Sequence, residues 1–331
     1  IAGEVDCQLR KVDIADFPLF KENEAQGGYE TYMWINDGSS GYAVNPTPRD
    51  DDGNIIEAQM EIVSQADFRR ALALAINRDE INELVYNGLS NPRGSAPVPG
   101  SPVYKKEYEE LWASYDPDQA NELLDGIGLT ERNADGFRLR PDGEVLTLRL
   151  DVDSNPGSAA EREHQLTAEY WKAVGVNTVI NAMERSLRET VQFSDRYSVI
   201  AAGISNTSVP LSYNAWHNGP GGGWGRWVNS TEGERPELAV EPPEGHPIYE
   251  MRALIEQAYF ETIDINEAHE VLKQALDIYY QECFRIGTVG ANPQPVIVTN
   301  RMKNVPNGVV NANALMRINM AQPAQMYIDE G

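Results

Sequence analysis

The stretch Phe68-Arg69-Arg70-Ala71-Leu72-Ala73-Leu74-Ala75-Ile76-Asn77-Arg78-Asp79-Glu80-Ile81, followed by Gly88 and a proline-punctuated loop from Pro92 to Pro102, decides how this chain is read. Phe68, Leu72, Ala75, Ile76, Leu84 and Val85 recur at three- and four-residue spacing, which predicts one helix with a single apolar face. Ser64 and Asp67 have the spacing of a capping box that would open this helix, and Gly88 would end it.

Working outward, residues 116–126 predict a second helix, with Asp116 as its cap, Pro117 at the first helical position, and Gly126 and Gly128 stopping it. The period then changes. Leu146, Leu148, Leu150 and Val152 alternate with Thr147, Arg149 and Asp151, as in a half-buried strand. Leu166, Tyr170, Trp171 and Val174 share a helical face that Gly175 terminates, and residues 176–183 supply the next strand. Ser186 and Glu189 have capping-box spacing for a helix to about 193, and 197–203 reads as a third strand. Strand, helix, strand, helix, strand at this spacing predicts a three-layer α/β lobe. Towards the N-terminus, strands are expected at 5–9 and 29–35 around a polar helix or loop at 13–25. A turn-rich stretch follows, with the Pro- and Asp-rich loop 45–54 as a candidate boundary. Towards the C-terminus, amphipathic helices are expected at 248–262 and 265–285, then a buried strand at 295–300.

With 331 residues, 41% of them hydrophobic, the chain can bury a large core in one big domain or two smaller ones. Its 27 Lys and Arg against 51 Asp and Glu give a net charge of -24, which removes counterion release as a driving force and makes nucleic acid an unfavourable partner. The same charge would be repelled by an anionic membrane surface. No apolar run approaches the roughly 20 residues that span a bilayer. The start Ile1-Ala2-Gly3-Glu4 lacks a signal-peptide pattern, so the protein is read as cytosolic or as already processed. Cys7 and Cys283 show no metal spacing; they read as two isolated small hydrophobes, with a single bridge open in an oxidising compartment.

Chemistry-bearing patterns are sparse. Asp151, Asp153 and Asn155 match the first ligands of a calcium loop, but Pro156 and Arg162 stand where glycine and glutamate belong. No Gly-x-Ser-x-Gly elbow occurs, and His164, His217, His246 and His269 lack zinc-helix spacing. His164 and His269 fall in expected helices beside acidic residues and read as surface groups. No metal and no cofactor are expected. Residues 204–247 lose all periodicity, and within them Trp216, Trp224 and Trp227 fall within twelve residues, interleaved with Asn214, His217, Arg226 and five glycines. Indole faces stack on sugar C–H faces or apolar side chains, and Asn, His and Arg offer directional hydrogen bonds. The competing reading is that these tryptophans plug the lobe beneath a glycine-rich loop.

Several segments in order resemble the family 5 solute-binding proteins of ABC importers, the oligopeptide and oligosaccharide receptors. They are the 68–102 stretch, Tyr115-Asp116-Pro117 with Ala120 and Gly128, Asp135-Gly136-Phe137 with Asp142-Gly143, Trp171-Lys172-Ala173-Val174-Gly175-Val176, residues 284–290, and residues 300–306. The resemblance implies an α/β fold, a type II periplasmic-binding-protein-like lobe with a central mixed sheet flanked by helices. It divides the chain into 1–63, a remnant of the first lobe and hinge; 64–295, the large ligand-binding lobe; and 296–331, a return toward the first lobe. The N-terminal lobe of the same protein, with its signal or lipid anchor, is expected to lie upstream.

The implied role is extracytoplasmic: binding a small-molecule ligand, an oligopeptide or oligosaccharide, in an interlobe cleft, on the periplasmic or outer face of the membrane, and handing it to ABC permease subunits without chemistry. Peptide-binding relatives carry an Asp in an Asp-Tyr-x-x-Pro segment; counting back from Pro210 puts Asn206 there, and a neutral amide favours a neutral oligosaccharide. The expected ligand contacts are therefore Asn206, Asn214, Trp216, His217, Trp224, Arg226 and Trp227. A secreted carbohydrate-active enzyme and an acidic protein-interaction module are the rival readings.

Overall fold

The computed structural model describes residues 4–9, 12–36, 38–201, 204–205, 220–229, 236–311 and 323–329. Two large sheets organise these residues, beside a two-stranded antiparallel one of Met302–Lys303 and Tyr327–Ile328. In the smaller, the spatial order is Cys7–Gln8, Pro293–Thr299, Tyr29–Asn36 and Val310–Asn311, antiparallel except for the last pair. Alternation along these strands puts Trp34, Val296 and Val298 on one buried face. There the Trp34 indole N–H donates to the Pro306 carbonyl at 3.0 Å.

The larger sheet runs Asn91–Pro92, Ile286–Gly290, Gly38–Val44, Val199–Ala201, Thr147–Val152 and Asn177–Ala182, and Ile204–Ser205 pairs with the start of Gly38–Val44. Its first pairings are antiparallel and its last two parallel, so the sheet is mixed. Tyr42 and Val44 face a core built with the helices Ala66–Leu74, Arg78–Tyr86, Pro117–Gly126 and Ala159–Ala173. Ala43, between them in sequence, faces the other side with Tyr197 and Ile200 under the helix Arg185–Phe193. The expected three layers are present. A further core joins Gly222–Val228 to the helices Ile248–Glu256 and Ile265–Gln281.

The chain passes between the sheets twice, at 36–38 and at 290–293, and the two crossings lie side by side, with the Asn36 N–H donating to the Asn292 carbonyl at 2.9 Å. The strand Gly38–Val44 lies in the larger sheet, and the helix Glu57–Val63 packs into its core through Ile62 and Val63.

The 68–88 segment is two helices rather than one. Asn77 adopts an extended conformation and its side chain accepts from Glu80 N at 3.1 Å, opening Arg78–Tyr86, while Arg78 turns back onto the carbonyls of Ala73 and Ile76 at the end of the first helix. The Ser64–Asp67 box does not form, because Ser64 closes Glu57–Val63 and Asp67 pairs with Arg70 at 2.8 Å. Leu84, assigned to the apolar face, is 58% exposed. The Asp116 cap holds, accepting from Gln119 N at 2.8 Å, and Gly128 takes a φ of +91°. Glu184, not Ser186, caps Arg185–Phe193.

Gly38-Ser39-Ser40-Gly41 read as turns yet starts a central strand. A Cβ on Gly41 would sit 2.3 Å from the Ile286 carbonyl oxygen, so the strand needs the small residues that make it look like a loop.

Candidate functional site

Beside the crossings, side chains from four elements meet at a buried carboxylate. Ser158 caps Ala159–Ala173 by accepting from Glu161 N at 3.2 Å, which orients the first turns so that Glu163, Thr167 and Trp171 face inward. Glu163 is 1% exposed. It accepts hydrogen bonds from Tyr86 Oη at 2.6 Å, from Thr288 Oγ1 at 2.5 Å and from the Ser40 hydroxyl. Burial pushes its carboxyl up and these three hydroxyls pull it back. Ser40 in turn accepts from Asn292 Nδ2 at 3.1 Å, and Asn292 Oδ1 accepts from Ser90 Oγ at 3.2 Å. One polar chain thus runs from the helix, through both crossing strands, to a residue of the crossing itself.

His164, expected at the surface, is buried against Tyr42, whose hydroxyl lies 3.0 Å from both His164 Nδ1 and Thr167 Oγ1. Burial lowers its pKa to about 4. The sequence signal for this inward polar face was present: Glu163, Thr167 and Trp171 are spaced by four. The acidic neighbours Glu161 and Glu169 masked it.

Of the expected ligand contacts, Asn206, Asn214, Trp216 and His217 lie outside the described residues. Ser205, which precedes them, pairs with Gly38 next to the crossing. The other three sit at the opposite end of the central strand, roughly 20 Å away for seven residues of strand. There Gly222 N donates to Tyr197 Oη at 3.0 Å and Gly223 N to Thr47 Oγ1 at 2.7 Å, anchoring a helix that its glycines disfavour.

Trp224 is 1% exposed in the core with Ile248 and Met251, its ring 4.7 Å from His246. Sealed in this core, the Trp224 indole has no exposed face for stacking. Trp227, half-buried, packs against Tyr249 and under the Arg252 guanidinium. Arg226 grips Asp195 at 2.9 and 3.1 Å and the Phe193 carbonyl at 2.7 Å. Both side chains thus make contacts within the lobe.

Among the described residues no group of His, Cys, Asp and Glu is arranged to hold a metal, and no helix is long and apolar enough to cross a membrane. Asp151 turns inward onto Asn181 at 2.7 Å, and Asp153 pairs with Arg188 at 3.3 Å. Cys7 and Cys283 are both free thiols, and burial raises each to about 11.

Residues 1–225 match the bacterial extracellular solute-binding proteins, family 5, middle region. The chain is 30% identical over 148 residues to the glutathione-binding protein GsiB of Pectobacterium atrosepticum, covering 45% of this chain and 24% of that one. It is 22% identical over 260 residues to a periplasmic alpha-galactoside-binding protein of Rhizobium meliloti, covering 76% and 36%. Among solved structures, an oligopeptide-binding protein OppA superposes with a TM-score of 0.74 at 30% identity, over 99% of this chain and 54% of that one. A mannohexaose-bound periplasmic oligopeptide-binding protein from Thermotoga maritima superposes at 0.71 with 19% identity, over 100% and 59%, a likeness of fold. The chain spans about a quarter to three fifths of these relatives' own lengths.

Proposed function

Because this chain belongs to the bacterial extracellular solute-binding proteins of family 5, we propose that it supplies the second lobe and hinge of a receptor that captures an oligopeptide or oligosaccharide and delivers it to an ABC permease. The observation that carries this reading is the pair of adjacent crossings at 36–38 and 290–293, held together by the Asn36–Asn292 hydrogen bond. Two short adjacent connections, running in opposite directions between two sheets, allow one body to rotate against another while each keeps its core. The ligand would bind between this lobe and the receptor's other lobe, at the face where Ser205 and Gly38 pair.

On this reading Asn206, Asn214, Trp216 and His217 contact ligand, while Trp227 and Arg226 shape the lobe. The receptor performs no chemistry and works outside the cytoplasmic membrane. Relatives that bind glutathione, alpha-galactosides and oligopeptides support both ligand classes.

The test is calorimetry of the full-length receptor against di- to pentapeptides and α- and β-linked oligosaccharides. Micromolar binding of one class, weakened at least tenfold by Trp216→Ala, is expected. Absence of binding to both classes, or turnover of a sugar, would overturn the reading.

A further inference from the structure

The far border of the larger sheet, three strands from the crossing, is an open edge. Asn177–Ala182 pairs only with Thr147–Val152 among the described residues, in unbroken parallel register. Asn177 N donates to the Leu146 carbonyl at 3.1 Å and Met183 N to the Val152 carbonyl at 3.0 Å. Alternation therefore directs the backbone groups of Thr178, Ile180 and Ala182 away from the sheet. Natural edges are usually blunted by charge, proline or a bulge, and Asn-Thr-Val-Ile-Asn-Ala has none of these.

Beside this edge lies a cavity of about 580 Å³, floored by Val85, Leu166, Ala168 and Ile180 and flanked by Leu84 and Val179, which are 58% and 50% exposed. An unpaired strand next to an apolar groove matches the demands of an added strand, which satisfies the outward amides and buries alternate side chains.

The cavity's charges are two cations and one carboxylate, in a chain of net charge -24. Lys172 pairs with Glu169 at 3.0 Å. Arg162, exposed, has no ion-pair partner among the described residues. Helix and strand are joined by the short turn 174–176 and run antiparallel, so Lys172 stands beside the start of the edge and Arg162 beside its end, about 15 Å along the helix axis.

We propose that this edge and groove bind an extended polypeptide segment of about five residues, aliphatic at alternate positions, with a carboxylate at the end that meets Arg162. The surface is separate from the interlobe cleft, and the inference does not rest on the transport reading. A second copy of this chain is disfavoured as occupant, because two bodies of such negative charge repel.

The probe is a fluorescein-labelled hexapeptide that alternates valine and threonine and ends in aspartate, titrated by anisotropy into the full-length protein. Saturable binding is expected. Ile180→Pro, which removes only an outward N–H, should weaken it at least tenfold. Arg162→Glu should weaken it several-fold for this peptide and strengthen binding of a lysine-ended version. Since Ile180→Pro can also perturb the strand, Leu84→Asp, checked by circular dichroism, is the second variant and should weaken binding likewise. No saturable binding, binding indifferent to both groove variants, amides of 178 and 180 already protected from hydrogen exchange in the free full-length protein, or a dimer that Ile180→Pro dissociates would each overturn the proposal.

Discussion

Tyr86 donates its hydroxyl to Glu163 Oε2 at 2.6 Å, and that buried carboxylate is held by hydroxyl groups alone, with no cationic side chain contributing. Tyr86, Thr288 and Ser40 reach it from a helix and two strands, so the carboxylate ties both crossing strands to the helix Ala159–Ala173. A buried charge satisfied this way is costly to strip of any one donor.

Tyr86→Phe should therefore lower stability by about 1.5–3 kcal/mol, the range for a hydrogen bond to a charged group. Combined with Thr288→Val, the losses should fail to add, because both mutations act on one carboxylate. Urea denaturation of the four-member cycle measures this. Strict additivity with losses under about 0.5 kcal/mol would remove the carboxylate from its organising role.

His164 makes stability depend on pH. In the unfolded chain its imidazole takes up a proton near 6.5, whereas burial delays protonation in the folded chain to about 4. Protons therefore favour unfolding between these values. The contribution is complete above 6.5 and lost as pH falls toward 4, on the order of 3 kcal/mol in all. Glu163, whose pKa is raised, opposes this at the acidic end. The difference between wild type and His164→Gln isolates the histidine: thermal unfolding from pH 7 to pH 4 should be flatter in the variant.

Arg78 donates to four carbonyls, those of Gly287, Ala73, Ile76 and Ala113, at 2.9 to 3.3 Å. A lysine keeps the charge but not the fork that reaches both directions. Arg78→Lys should cost at least about 2 kcal/mol, since buried carbonyls lose their donors. A chemical denaturation midpoint equal to wild type would count against this.

Gly41→Ala should destabilise by about 1–3 kcal/mol, because its Cβ would press on the Ile286 carbonyl, a backbone atom that cannot swing aside. Gly126→Ala is the control. Nothing stands within 4 Å of a Cβ there, and helix propensity should make the change stabilising by up to about 1 kcal/mol. Equal melting temperatures for the two variants would contradict the packing argument.

Trp224→Ala should cost about 3–5 kcal/mol of stability, as for a buried indole. Trp227→Ala, half-exposed, should cost clearly less. The reverse ranking in differential scanning calorimetry would mean that the helix Gly222–Val228 packs differently.

The amphipathic helices, the Asp116 cap, the strand at 147–152 and the family were all legible in the linear sequence. Each rests on signals that lie within one element: a period, a capping oxygen, a glycine just past a helix end. Two helices looked like one at 68–88 because Asn77 reads as a surface polar residue until its side chain is seen to accept from Glu80 N. The tryptophan cluster was visible as a pattern, but proximity in sequence says nothing of which indole faces inward.

By itself, the sequence determined the elements whose stability is local and the lineage to which they belong. Only the tertiary structure decided that Gly38–Val44 is a strand, that Glu163 and His164 point into the core, and that Trp224 is sealed inside. The reason is physical: these features draw their free energy from partners far along the chain. Gly41 pairs with Gly287 and Tyr42 meets Thr167, contacts that no short window of residues contains.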